Sequence, residues 1–495
     1  MTDHAIRKVV IAGGGTAGWV VAAALSSQLG KLLEIVLVES DQIGTVGVGE
    51  ATIPTHCAFH RYIGVNEQDF MRATQATFKL GIRFENWGQV GEDYFHAFGS
   101  IGKSSWVGSF ESIWRAAGGE AGALDDYCLE LKAAEAGKFG LGSKPALNYA
   151  YHLDASLYSQ FLRKLSEQRG VRRVEGKISN VERDGETGEL SALGLEDGTR
   201  IEGDFFVDCT GFRGLLIDKA LGVGFEDWAH WLPMNSAWAV QTKSTEPPVP
   251  YTRSIAREAG WQWRIPLQHR TGNGLVYCDD YIDDEAARAQ LEASLNGEMI
   301  TTPRNIKFRT GRRKLPWSKN CLAVGLSSGF MEPLESTSIH LIQIAATRLV
   351  QMFPFDGIND AVASHYNRYM NEEVESIRDF LVLHYKVTQR SDSPFWRDRQ
   401  AMDIPDSLAQ RLELYRNSGI LYQDGSDLFR TDSWVQVMHG QGLRSPAYHR
   451  FGHMMETENL ESALRDMRGQ ISQTVAALPA HADFLRQYCA TQDYP

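Results

Sequence analysis

Apolar positions near the start of the chain fall into a strand, a glycine-rich turn, a helix and a second strand. KVVIAG (8–13) is a short β-rich apolar run that passes directly into GGGTAG (13–18). WVVAAALSSQL (19–29) is apolar and long enough for a buried helix, and LEIVLVES (33–40) reads as the next strand. Far downstream, FFVDCTGFRG (205–214) and NCLAVGLSSG (320–329) each read as a buried strand ending in a glycine turn. Such returns to one sheet from distant sequence predict a single large α/β domain carrying insertions. The polar, glycine-punctuated stretch 175–204 predicts hairpins, and TEPPVP (245–250) an exposed loop. In WQWRIP (261–266), Trp261 and Trp263 alternate onto one face of a strand that Pro266 ends. Ile339, Ile342, Leu349 and Phe353 define an amphipathic helix within 329–353 that begins near Ser336. From about 355 onward the pattern is mostly helical.

The first βαβ unit carries chemistry in its spacing. Gly13, Gly15 and Gly18 form G-x-G-x-x-G, with Gly14, Thr16 and Ala17 filling the turn. Gly13 permits the tight turn, Gly15 lets the backbone approach a pyrophosphate, and Gly18 lets helix and strand pack closely. The helix start supplies amide donors to phosphates. Glu39 closes the second strand about 20 residues further on, where a carboxylate can bind ribose hydroxyls. These features predict an adenine dinucleotide. The motif alone does not separate FAD from NAD. However, GTVGVGEATIP (44–54), with Gly49, Glu50 and Ala51, places a flexible loop where a nicotinamide domain would begin another βα unit. Together with the late strands, that favours FAD.

A second helix start is suited to a small anion. Ser336, Thr337 and Ser338 sit where the first free amides point outward, at the partly positive end of the helix. Glu335 lies beside them in an otherwise apolar loop. An ordinary alternative exists: Ser336 caps the helix and Glu335 complements its dipole. If buried, Glu335 could serve as a general base.

Composition narrows the partners. The 495 residues carry a net charge of −12, which is no footprint for nucleic acid and argues against an anionic membrane surface. No apolar run reaches the length of a membrane span, and no signal peptide is recognisable. Six scattered cysteines, without CxxC pairs or zinc-ligand spacing, fit a reducing cytoplasm and suggest no metal.

Several motifs along nearly the whole chain resemble those of the flavin-dependent tryptophan and indole halogenases. GGGTAG is similar to the family's FAD fingerprint, and GVGEATIP to its flavin-contacting strap. FKLG (78–81) resembles the segment holding the catalytic lysine, and WQWRIP matches the family's W-x-W-x-I-P. FMEPLESTS (330–338) resembles the stretch bearing the catalytic glutamate and halide site, and HYKVTQRSDSPFW (384–396) a further family segment. The resemblance implies an FAD-binding GR2/monooxygenase-like α/β domain with a Rossmann βαβ over residues 1–390, carrying insertions. A mainly helical substrate module over 391–495 would pack on it. It adds Gly325, Leu326 and Ile339 to the cofactor contacts. On that resemblance a separate flavin reductase would supply FADH2, which would react with O2 to a flavin hydroperoxide, and halide (chloride or bromide) would attack it to give hypohalous acid. That oxidant would reach Lys79, which would hydrogen-bond it or carry the halogen as a haloamine, and the halogen would add to a small aromatic of the indole type. By motif position Glu335 would activate the oxidant or help remove the ring proton. Thr337 and Ser338 would hold halide, and His96 and Phe98 of FHAF (95–98) would sandwich the ring.

The residue chemistry is compatible with these roles. Burial of Lys79 among Phe78, Leu80 and Phe84 would lower its pKa and bring ammonium and amine within reach. The competing reading is a surface lysine with a buried stem. Ser338 stands where the family commonly has glycine, which suggests bromide serves better than chloride. The segment 414–434 shows no match to the part of tryptophan halogenases that holds the amino acid's carboxylate and ammonium, so indole and tryptophan both stay open. A homodimer is left open. Two rivals remain: a single-component FAD monooxygenase using NADPH to hydroxylate an aromatic, and a non-catalytic flavin-binding sensor.

Overall fold

The computed structural model describes residues 5–44 and 50–491. Its internal contacts divide the chain into two compact units, each drawn from three stretches. The first comprises Met1–Ala76, Leu153–Asn235 and Lys307–Glu375; the second comprises Thr77–His152, Ser236–Ile306 and Ser376–Pro495. This partition interleaves along the chain, where the sequence reading placed one boundary at 390.

The first unit is built on a six-stranded sheet. Its opening elements are β1 (Lys8–Ala12), α1 (Thr16–Leu29), β2 (Glu34–Glu39) and α2 (Thr55–Tyr62). These are followed by α3 (Ala155–Gln168), β3 (Arg172–Glu175), β4 (Phe205–Asp208), β5 (Trp317–Ser318), β6 (Cys321–Ala323) and α4 (Ser338–Gln351). The order across the sheet is β5-β6-β4-β1-β2-β3. All neighbours run parallel except the β5–β6 pair. Strands buried on both faces explain the unbroken apolar runs: Val9, Val10 and Ile11 expose nothing, nor do Phe205, Phe206 and Val207. Helix α1 is apolar all round because α3 and α4 both pack against it, and Val20 through Leu25 are fully buried. The turn between β1 and α1 requires glycine. Gly13 has φ +105°, and a Cβ there would sit 2.3 Å from the Cys209 carbonyl oxygen at the end of β4. The predicted hairpins form an antiparallel three-stranded sheet of Ile178–Arg183, Leu190–Leu195 and Arg200–Glu202.

The second unit holds a seven-stranded, mainly antiparallel sheet. From the edge strand Arg304–Lys307 the order is Ser236–Lys243, Arg270–Tyr277, Gly260–Pro266, Thr252–Arg257, Gly81–Glu85 and Asp93–Ala97. Only Thr252–Arg257 and Gly81–Glu85 pair in parallel among the registers of that sheet given by its described residues. Helices dominate its C-terminal stretch, including Thr431–Gly440, Thr457–Ala477 and His481–Cys489. The expected loop at 245–250 is exposed only in its first half. Pro248 and Pro250 are buried, because the Pro248 carbonyl accepts from His481 Nδ1 (2.7 Å) and the Pro250 carbonyl from the Leu80 amide (2.7 Å). Among the described residues no helix is long and apolar enough to cross a membrane.

Candidate active site

The predicted cofactor residues that the structure describes all fall in the first unit. Gly13, Gly14 and Gly15 form the turn, Thr16, Ala17 and Gly18 begin α1, and Gly15 in extended backbone is its N-cap. Among the described residues no side chain caps this helix, so its first amides face outward for an acceptor. Glu39 ends β2 beside the turn: a Cβ on Gly14 would fall 1.5 Å from Glu39 Oε2. Its Oε1 accepts from Arg173 Nε at 2.5 Å, with Arg163 at 3.6 Å. One carboxylate oxygen is thus held by arginine while the other stands at the glycine turn. Gly325 and Leu326 open a tight turn packed on the start of α1, where a Cβ on Gly325 would lie 2.8 Å from Ala17 Cβ. Ile339 is buried in the first turn of α4. Gly49 lies outside the described residues. Glu50 and Ala51 form a two-residue strand, and Glu50 is half-buried with its carboxyl pushed up by burial to about 7. An uncapped helix start, a turn closed to a side chain at Gly13 and open in front of Gly15, and a carboxylate at its rim fit a dinucleotide such as FAD.

Sequence reasoning missed the acid that builds this turn. Asp208, fully buried at the end of β4, accepts from the Thr210 amide and hydroxyl through Oδ1 (2.9 and 2.7 Å). Its Oδ2 accepts from the Leu216 and Ile217 amides, both at 2.9 Å. Four donors fix the carboxylate inside the fold, beside the loop that Gly13 abuts.

The anion-suited helix start belongs to the same unit and differs from expectation in its register. Helix α4 begins at Ser338, with Thr337 as N-cap and no capping side chain among the described residues. Ser336 does not cap it. It adopts left-handed backbone (φ +59°), and its amide donates to the Pro333 carbonyl at 3.1 Å. This kink follows the tight turn Pro333–Glu335 and leaves Glu335 1% exposed, with Thr337 buried beside it. A side-chain-bearing residue in this conformation is strained and concentrates at functional sites.

The second unit contains Lys79, His96 and Phe98. Lys79 has no exposed surface, so it is not a snorkelling surface residue. It ends the strand Thr77–Lys79, which pairs antiparallel with Ala150–Leu153 through Lys79↔Ala150, Phe78↔Tyr151 and Thr77↔His152. Its Nζ stands 5.0 Å from the Phe98 ring centroid, a cation–π distance. His96 is buried, with its ring 5.5 Å from Phe380 and 6.0 Å from Phe429. Gln436 grips the residue between His96 and Phe98: its Oε1 accepts from the Ala97 amide at 2.7 Å and its Nε2 donates to the Ala97 carbonyl at 3.4 Å. Asn148 and Arg430 donate to the Phe98 carbonyl at 3.1 and 3.3 Å.

Two buried histidines, also missed, fix the lysine strand. Thr77 donates its hydroxyl proton to the Pro266 carbonyl at 2.7 Å, so His152 Nδ1–H must donate to Thr77 Oγ1 (3.0 Å). His152 Nε2 then accepts from Thr252 Oγ1 at 2.9 Å. Burial, and next the Lys79 charge, hold the His152 pKa far below its usual value. His481 Nε2 accepts from the Phe78 amide (3.3 Å), and burial lowers its pKa to about 4. Both rings are neutral at physiological pH. Pro266 links this lock to the strand of Trp261 and Trp263, which are 1% and 6% exposed with ring centroids 6.1 Å apart. Their indole N–H groups have no hydrogen-bond partner among the described residues. No cluster of metal-ligating side chains occurs among the described residues.

A parallel sheet with a glycine turn and an uncapped helix start defines the first unit as a dinucleotide-binding α/β fold of the flavoenzyme kind. The chain belongs to the tryptophan halogenase family, whose model matches residues 8–457, and it is a flavin-dependent halogenase. Among solved structures it is similar to Xcc4156, a flavin-dependent halogenase from Xanthomonas campestris: 52% identity, 99% of this chain, 100% of that one and a TM-score of 0.97. BrvH, a flavin-dependent halogenase from Brevundimonas sp. BAL3, shares 44% identity over 99% of this chain and 100% of that one, with a TM-score of 0.94. The 7-chloro-L-tryptophan 6-halogenase KtzR of Kutzneria sp. is 36% identical, covering 96% of this chain and 98% of that protein.

Proposed function

We propose that this halogenase takes reduced FAD from a separate flavin reductase and halogenates a small electron-rich aromatic, indole or tryptophan, with Lys79 delivering the halogen. The observation that carries the reading is the complete burial of Lys79 with its Nζ over the Phe98 ring. A buried lysine with no surface role needs an internal reason, and a polarisable oxidant beside an aromatic platform supplies one. Bound flavin supplies the two-electron oxidation of halide by O2. Gly13–Gly18 and the start of α1 hold its pyrophosphate, Glu39 its ribose, and Glu50, Ala51, Gly325, Leu326 and Ile339 line it. The outward amides of Thr337 and Ser338 hold the halide, and bromide is preferred because the Ser338 side chain alters the space. Lys79 Nζ donates to the hypohalous oxidant or carries its halogen. The ring, set between His96 and Phe98, forms the new carbon–halogen bond as the oxygen–halogen bond breaks and its oxygen leaves as water, or as the nitrogen–halogen bond breaks and returns the Lys79 amine; the ring loses a proton, and the buried carboxylate of Glu335 activates the oxidant or takes that proton.

The test is mass spectrometry on indole and tryptophan incubated with enzyme, flavin reductase, NADH, FAD and bromide. Products with the bromine isotope pattern are expected, and Lys79→Ala should abolish them while flavin oxidation continues. Halogenation that survives in Lys79→Ala would refute its role. Rapid NADPH consumption by the protein alone, with hydroxylated and unhalogenated product, would favour a single-component monooxygenase.

A further inference from the structure

Helix α2 begins at Thr55, immediately after the strap segment Glu50–Pro54, and packs on α4. Two hydrogen bonds, one helical turn apart on α4, join them. Thr55 Oγ1 lies 2.9 Å from His340 Nδ1, and Gln343 Nε2 donates to His56 Nδ1 at 2.8 Å. His340 stands in the first turn of α4, two residues past Ser338. It is backed on its other side: Nε2–H donates to Glu373 Oε1 at 2.7 Å, and Arg348 donates to Glu373 Oε2. His340, Gln343, Arg348 and Glu373 are all buried. Burial alone would raise the Glu373 carboxyl, but the His340 hydrogen bond and the Arg348 charge outweigh it and hold it below its usual value. It is therefore an anion at neutral pH and a firm acceptor. His56 is neutral, its pKa lowered by burial to about 3, so its Nδ1 accepts from Gln343.

Such a network is costly to desolvate and gives little net stability over apolar packing. Its geometric consequence is more specific. The side chains fix the rotation and height of the first turn of α4 against the residues that follow the strap. We propose that the Thr55–His340 and His56–Gln343 pairs form a clasp through which halide at the start of α4 and flavin beside the strap strengthen each other's binding. The clasp rests on the halide and flavin sites proposed above. Its members act as positioning residues, through the contacts that join α2 to α4. Whichever ligand binds first fixes the position of its own element, and the clasp carries that position to the other, so the second ligand meets a site already in place.

The experiment measures the dissociation constant of oxidised FAD by flavin fluorescence. The full chain is titrated in saturating sodium bromide or in sodium gluconate at equal ionic strength. Bromide should tighten FAD by roughly fivefold. In Thr55→Val with Gln343→Met the factor should fall below about twofold, whereas Thr55→Ser, which keeps the hydroxyl, should retain it. Melting temperatures within a few degrees of the parent show that the variants fold. If the double variant does not fold, Thr55→Val alone at this exposed position should still reduce the factor to about twofold. A double variant that keeps the full bromide effect overturns the clasp, as does a parent whose FAD affinity ignores bromide. Turnover separates this from failure of the halide site: bromide-dependent product from the parent leaves that site standing while the clasp falls.

Discussion

Among the described residues no side chain caps helix α1 or helix α4, yet the ground around their first amides is built differently. At α1 the approach is lined by Gly13, Gly14 and Gly15, and the nearest carboxylate, Glu39, is turned to the rim and tied to Arg173. At α4 the approach is lined by side chains: Glu335 is buried, Ser336 is forced into left-handed backbone, and Ile339 and His340 fill the first turn. The helix dipole favours an anion at each. Bare backbone admits a ligand with several oxygens in contact with the chain. A start crowded by side chains leaves room for a small anion only. The sign of charge is thus set by the helix, and the size of the ligand by what surrounds it.

The largest expected effect comes from filling the bare start. Gly13→Ala places a methyl 2.3 Å from the Cys209 carbonyl oxygen at φ +105°, so the turn must open. FAD affinity should fall at least about 100-fold, read by flavin content after purification and by fluorescence titration. Stoichiometric flavin in this variant would show that the turn is not the pyrophosphate cradle. The crowded start should respond in the opposite manner. Glu335→Gln keeps the shape but removes the charge, so FAD affinity should change less than about twofold while product formation falls about 100-fold. Equal losses of flavin in both variants would erase the distinction between the two starts.

The same contrast explains what could be read from residues in order. The start of α1 is legible because turn, helix and Glu39 follow one another within a single βαβ unit. The start of α4 was displaced by two residues because a serine before a helix resembles a cap, and its left-handed φ leaves no trace in residue type. The surroundings of Lys79 were out of reach for another reason: Phe98, Ala150, His152 and His481 come from separate stretches. Local neighbours such as Phe78 and Leu80 could not tell a buried lysine from one with a buried stem. Likewise Glu373 meets His340 from the next helix, and no spacing rule joins them.

Glu50 offers a smaller effect that tests the burial of the strap. Its carboxyl is raised by burial from the ordinary value of 4.5 to about 7. The folded state therefore holds a proton that the unfolded chain releases. The contribution to stability is fully present below pH 4.5, declines as pH rises to about 7, and is level beyond. The flavin-free parent should lose roughly 2–4 °C of melting temperature across that window relative to Glu50→Gln, which has no carboxyl to ionise. Parallel curves for the two proteins would mean that the strap acid is well solvated.

The smallest effect concerns the choice of anion at the crowded start. Ser338 is the first residue of α4, and its Cβ and hydroxyl occupy space beside the outward amides. Ser338→Gly removes both without touching the amides or the dipole, so anion binding itself persists and only the fit changes. The Ser338 side chain excludes water from the amides, which costs the more strongly hydrated chloride more than bromide, and glycine leaves room for a water that lowers this cost for chloride. The ratio of bromination to chlorination, measured as kcat/KM for each halide on one indole substrate, should therefore fall about threefold in Ser338→Gly. FAD affinity measured without halide should be unchanged. A parent that already chlorinates faster than it brominates would remove the premise, and a variant with an unchanged ratio would assign halide choice to the walls around Glu335 rather than to the first residue of the helix.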